Sequence, residues 1–179
     1  IVSNYQEDSQ FKNIILVDNS LQAKNIILTN EEDAITVNNG ISVEGVTVKL
    51  YAATDLNVNG SVSSDEGTTL EATKITVNGT VDTTNGTTTL TADEIAVNGT
   101  VDTTNGTTTL TSTGDLTVNG SGTIKGTAVN VNTGQDFIHN GGLIYTPNAV
   151  IQAQGNILLQ RGSLHANNAD LFAIGGYVD

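Results

Sequence analysis

Val77–Thr91 reads VNGTVDTTNGTTTLT and recurs letter for letter as Val97–Thr111. If the copies stack, Asp82 lies over Asp102. Two such carboxylates can act as an acid/base pair or share a cation such as calcium. The simpler reading is a solvated corner, where two like charges repel by about 1 kcal/mol or less in water. The same stacking sets Thr87, Thr89 and Thr91 outside a strand, flanking an inward Leu90, with Thr107, Thr109 and Thr111 one coil above. Regular Thr-x-Thr ranks are the pattern of an ice-binding face. The neighbouring coils, however, offer Thr69 and Glu71, then Lys49 and Tyr51, so the rank is interrupted after two coils. Thr is also simply a good exposed strand residue.

The remaining reactive side chains are dispersed. His139 and His165 fall two and eight residues after Phe137 and Ile157, so stacking does not join them. Arg161 is the only arginine, and no basic cluster surrounds it. A carbohydrate-binding or carbohydrate-cleaving protein would need a cleft of aromatics and carboxylates, for which Tyr51, Tyr145, Tyr177 and three Phe are at hand. No GGxGxD motif is present to bind calcium along a β-roll. The residues therefore point to a protein that is not an enzyme and has no cofactor, with Asp82 and Asp102 as weak metal candidates.

These placements depend on a repeat that runs well beyond the duplicated stretch. An apolar pair precedes the Asn-Gly of five successive coils: Ile35/Val37, Leu56/Val58, Ile75/Val77, Ile95/Val97 and Leu116/Val118, with first members 21, 19, 20 and 21 residues apart. The same beat reaches Phe137/His139 and Ile157/Leu159. A second column runs Leu50, Leu70, Leu90, Leu110, then Val129 or Val131, Val150 or Ile151, and Leu171. Asn-Gly and Gly mark the corners, where positive φ is needed. Asn78, Asn98 and Asn119 are placed to stack their amides into a ladder. Apolar and polar residues alternate in short groups, the period of strands, and no window carries helical spacing. The polar intervals 63–67, 82–86 and 102–106 read as the more open corner of each coil. The expected fold is all-β: a parallel β-helix, or β-solenoid, of about eight coils of about 20 residues with essentially no helix. It should be right-handed, the hand of parallel crossovers.

Composition narrows the partners. At 179 residues the sequence fits one domain. A net charge of −13 with six basic residues argues against nucleic acid and against an anionic membrane surface. The absence of cysteine excludes a disulfide scaffold and a thiolate metal site. No apolar run reaches the roughly 18 residues of a membrane span. The sequence opens on Ile1 rather than Met and reads as a processed or excised piece. Residues 1–12 read as an N-terminal cap or lead-in strand, and residues 13–179 as one solenoid domain, most regular over 35–131.

From Leu116 onward the letters change while the beat persists. Asp115–Gly126, DLTVNGSGTIKG, and Ala149–Asp170, AVIQAQGNILLQRGSLHANNAD, carry an apolar pair, Gly, an apolar run, Gly, Leu, a small residue and Asn/Asp. This style resembles the repeats of filamentous-haemagglutinin-type exoproteins of two-partner secretion systems, over roughly residues 35–179. The resemblance implies a right-handed parallel β-helix, secreted or displayed on a bacterial surface, serving adhesion or matrix formation.

Solenoid ends are unpaired strand edges, normally capped. Here Leu171, Ile174, Tyr177 and Val178 are apolar at one end and Ile1 and Val2 at the other, making them candidate assembly-edge residues. Tyr177 falls 20 residues after Ile157, where the next coil should begin. The expected function is structural: an extracellular adhesin shaft or self-assembling fibre subunit. Its partner would be another copy, a continuation of the solenoid, or a host or matrix glycan or protein.

Overall fold

The computed structural model describes residues 15–179. The proposed cap over 1–12, and Ile1 and Val2 with it, lie outside the described residues. Sixteen strands and no helix make up the described part. Eight are short: β1 (Ile15–Val17), β3 (Ile35–Val37), β5 (Asp55–Val58), β7 (Lys74–Val77), β9 (Glu94–Val97), β11 (Leu116–Asn119), β13 (Phe137–Asn140) and β15 (Ile157–Gln160). Eight are long: β2 (Leu21–Asn30), β4 (Ser42–Ala52), β6 (Ser61–Glu71), β8 (Thr80–Ala92), β10 (Thr100–Ser112), β12 (Thr123–Thr133), β14 (Leu143–Ala153) and β16 (Ser163–Ala173). All short strands form one parallel sheet and all long strands a second, each stacked in sequence order. One short and one long strand make a coil. Eight coils at the inter-strand spacing give a rod about 40 Å tall.

The core is a set of vertical columns. Ile15, Ile35, Leu56, Ile75, Ile95, Leu116, Phe137 and Ile157 are successive partners in the short-strand sheet. Two residues on, Val37, Val58, Val77, Val97, Val118, His139 and Leu159 form the next column. In the long-strand sheet Leu50, Leu70, Leu90, Leu110, Val131, Ile151 and Leu171 stack. The ambiguous positions are thereby resolved. Val150 faces out, 38% exposed, while Val129 sits inward in a different column, over Thr108. A further column of Val43, Val62, Val81, Val101, Ile124 and Ile144 completes the apolar wall. No single coil encloses these side chains, so each is buried by the coils above and below.

Every long strand bends midway, and the width of the bend varies. Inward residues on either side of it are Gly45 and Val48 in β4, Ser64 and Thr68 in β6, and Thr83 and Thr88 in β8. They are Thr103 and Thr108 in β10, then Gly126 and Val129 in β12. The register slips at this bend between β4 and β6, between β6 and β8, and between β10 and β12. Between β8 and β10 it does not, because their sequences are identical there. At the far end, Val178 rather than Tyr177 pairs with Ile157, one position later than the 20-residue beat requires. Tyr177 instead offers its carbonyl to the Ile157 amide at 2.9 Å.

Candidate functional site

Asp82 and Asp102 are register partners on the outward face of β8 and β10, so the stacking does bring the two carboxylates together. Lys125, the next residue of the column, lies 3.6 Å from Asp102. Burial, and then the Asp102 charge, push the Asp82 carboxyl above its ordinary range, while Lys125 pulls it back. The arrangement is a short line of two acids and one base along a half-exposed strand. Among the described residues no three His, Asp or Glu side chains group together to hold a metal ion.

The outward threonines fall as the register dictates: Thr87 over Gly67 and under Thr107, Thr89 between Thr69 and Thr109, Thr91 over Glu71 and under Thr111. Above them come Ala128, Asn130 and Asn132. Only the middle column is three threonines deep.

The inward threonines are the feature that the sequence does not announce. Ser64, Thr68, Thr83, Thr88, Thr103 and Thr108 are all buried. Their hydroxyls form one continuous zigzag. Ser64 and Thr68 share a hydrogen bond of 2.8 Å, and Thr68 and Thr83 one of 2.9 Å. Thr83 and Thr88 share one of 2.8 Å and Thr88 and Thr103 one of 2.7 Å. Thr103 and Thr108 share another at 2.8 Å, and Thr108 ends the zigzag on the Lys125 carbonyl at 2.6 Å. Hydroxyls both give and take, so three coils bury six polar groups without leaving an orphan. Glycine bounds the column below at Gly45 and above at Gly126. A Cβ at Gly126 would sit 3.2 Å from the Thr108 hydroxyl oxygen.

The two histidines part company. His139 occupies an inward position between Val118 and Leu159 and is fully buried. Neither ring nitrogen finds a hydrogen-bond partner, and the ring is tilted 40° against Phe137 at 6.2 Å. Burial lowers its pKa, partly offset by the nearby Gly142 backbone. Gly162 closes over the ring so tightly that an added Cβ would lie 2.6 Å from it. His165 faces out, over Tyr145, with ring centroids 6.5 Å apart. With Pro147 and Asn167 these two rings line a shallow recess of about 400 Å³. Arg161 is exposed on a left-handed backbone, φ 60°.

At the corners after the short strands, the expected amide ladder extends one rung lower, to Asn59. Asn78 donates to Asn59 at 2.8 Å, Asn98 to Asn78 at 2.8 Å, and Asn119 to Asn98 at 2.9 Å.

At the upper end β16 is the last strand of its sheet, with one edge open among the described residues. Leu171 is half-buried, whereas Ile174, Tyr177 and Val178 are 59%, 58% and 47% exposed. Phe172, which the repeat pattern does not single out, is 52% exposed beside them. Comparison with family models, curated proteins and solved structures gives no match.

Proposed function

We propose that the protein is a structural solenoid, an extracellular adhesin shaft or fibre subunit whose working feature is coil-on-coil stacking. The observation that carries this reading is the stacking itself, two eight-stranded parallel sheets built in sequence order with each coil buried by its neighbours. The unpaired edge of β16, with Ile174, Tyr177 and Val178 exposed around it, is what a further coil would cover by strand addition. The resemblance of the repeats to filamentous-haemagglutinin-type exoproteins supports the extracellular setting. Negative-stain electron microscopy across a concentration series tests the fibre form. Filaments of constant width that lengthen with concentration, and fail to do so in Val178→Pro, support end-to-end stacking. Compact particles that never elongate contradict it.

A carbohydrate-binding role is the second reading, and the Tyr145–His165 recess favours it. An exposed aromatic ring beside an amide and an imidazole suits a sugar face and its hydroxyls. Titration with soluble glucans, read by Tyr145 ring resonances in wild type and Tyr145→Ala, tests it. Unmoved resonances across neutral, acidic and amino sugars would remove this reading.

A further inference from the structure

Eight Asn-Gly pairs occur in the sequence: Asn39, Asn59, Asn78, Asn85, Asn98, Asn105, Asn119 and Asn140 are each followed by glycine. Such a pair is chemically reactive because a glycine amide nitrogen, with no side chain beside it, can reach Cγ of the preceding asparagine. The reaction needs a free glycine N–H, an asparagine amide able to swing, and a backbone able to rotate.

Seven pairs are restrained. At the ladder corners Gly60, Gly79 and Gly99 donate their amides to Val37, Val58 and Val77 carbonyls at 3.1, 2.8 and 2.8 Å. Gly120 donates to the Asn140 carbonyl at 2.8 Å. The Asn59, Asn78, Asn98 and Asn119 side chains are rungs of the ladder. Asn85 and Asn105 lie within β8 and β10, paired with each other and joined through their amides at 3.2 Å. Asn140 lies within β13, bridged to Asn119 on one side and Arg161 on the other.

Asn39 has none of these restraints, although its corner shares a two-residue surplus with that of Asn119, where Val118 to Thr123 partners Val97 to Thr100. From Val37 to Ser42 the backbone spends two more residues than from Val58 to Ser61, although both ends are register partners. The surplus bulges outward as a turn closed by the Ile41 amide on the Asn38 carbonyl at 3.2 Å. Asn39 and Gly40 are exposed in it, and Gly40 has φ 77°. The Gly40 amide and the Asn39 side chain have no hydrogen-bond partner among the described residues. Nothing lies within 4 Å of where a Gly40 Cβ would be.

We propose that Asn39 is a self-modification site of the folded protein. The Gly40 nitrogen attacks Cγ of Asn39 and forms the new C–N bond. The bond from Cγ to Nδ2 breaks, and that nitrogen leaves as ammonia with the proton lost from Gly40. The cyclic imide then takes up one water and opens at either carbonyl, giving aspartate or isoaspartate. The product carries one more negative charge beside the corner where Asn38 donates to Asp18. Because the bulge stands outside the stacked register, the coils persist through the change.

The test is to incubate the whole folded protein at mildly alkaline pH and map its peptides over time by electron-fragmentation mass spectrometry, with isoaspartate scored separately. Asn39 is expected to convert about tenfold or more faster than any other pair, since the others must first open locally. In urea the eight rates should draw together, and Asn39→Gln should remove the early conversion from the folded protein. Conversion at Asn39 no faster than at Asn59 or Asn98, or a faster reaction at another pair, would overturn the proposal.

Discussion

The coils from Ser61 to Ser112 and the coils around His139 both bury polar side chains, and they do so in opposite ways. The first group repeats one hydroxyl pair on three levels, so every buried oxygen meets another one coil away. The second buries a single imidazole in a column of Val and Leu, where neither ring nitrogen makes a hydrogen bond of ordinary geometry. Repetition is therefore one way to make a polar core workable in a stack. A hydroxyl copied at the same position finds its partner automatically, and the single buried hydroxyls of Thr133 and Thr146 bond carbonyls two residues on, while the imidazole makes no such bond. An unpaired buried group costs about 1–3 kcal/mol, whereas a bonded one contributes about 1 kcal/mol net.

The largest difference should appear in the apolar columns that flank the two groups. Leu90→Ala, fully buried between Leu70 and Leu110, should cost about 2–5 kcal/mol in urea unfolding. Leu171→Ala, half-buried at the open end, should cost less than half as much. Equal losses would mean that the end coil is as well covered as the middle.

His139→Leu should stabilise the rod by about 1–3 kcal/mol at neutral pH, because it removes two orphaned nitrogens from an apolar column. It should also change the pH dependence. The folded state holds His139 below its ordinary 6.5, so the unfolded state binds the proton first. The wild type therefore loses stability as pH falls through about 6.5, by at most about 1.4 kcal/mol per pH unit, until the lowered folded value is passed. The charged groups on the neighbouring elements, Lys125 on β12 and Arg161 beyond β15, face outward or pair elsewhere. Unfolding curves of wild type and variant between neutral and mildly acidic pH should diverge. Parallel curves would show that the imidazole has a partner.

Within the hydroxyl zigzag, Thr103→Val breaks the bonds to Thr88 and Thr108 and should cost about 1 kcal/mol. Replacing Thr83, Thr88, Thr103 and Thr108 together by valine, which has nearly the same shape, should cost far less than four such losses. Additive losses in chemical denaturation would refute a cooperative ladder. The smallest effect belongs to the outward line of charges. Asp82→Asn relieves a carboxyl already pushed up by burial and Asp102. It should shift stability upward by no more than about 0.5 kcal/mol, the range of a surface change.

Much of the architecture is legible in the residues. The pairs from Ile35/Val37 to Ile157/Leu159 stack as the 19–21-residue spacing implies. The leucine column is equally plain. Val129, Val131, Val150 and Ile151 are ambiguous in sequence because the bend of each long strand has no fixed width. Its tightening from Thr103–Thr108 to Gly126–Val129 sets Val129 inward over Thr108 and leaves Val131 to continue the leucine column. The inward hydroxyls escape notice because threonine looks alike inside and outside a strand. Continuing the alternation back from Leu90 to Thr88, and forward from Val81 to Thr83, is the signal that finds them. The unpartnered state of His139 has no sequence signal beyond its place in a valine column.

Hydrogen exchange on the folded protein, resolved by coil and repeated at low and high protein concentration, tests the stacking account most directly. Protection should be greatest in β6, β8 and β10 and fall toward β16, whose amides should gain protection as concentration rises and open ends are covered. Uniform protection along the rod, unchanged by concentration, would contradict it.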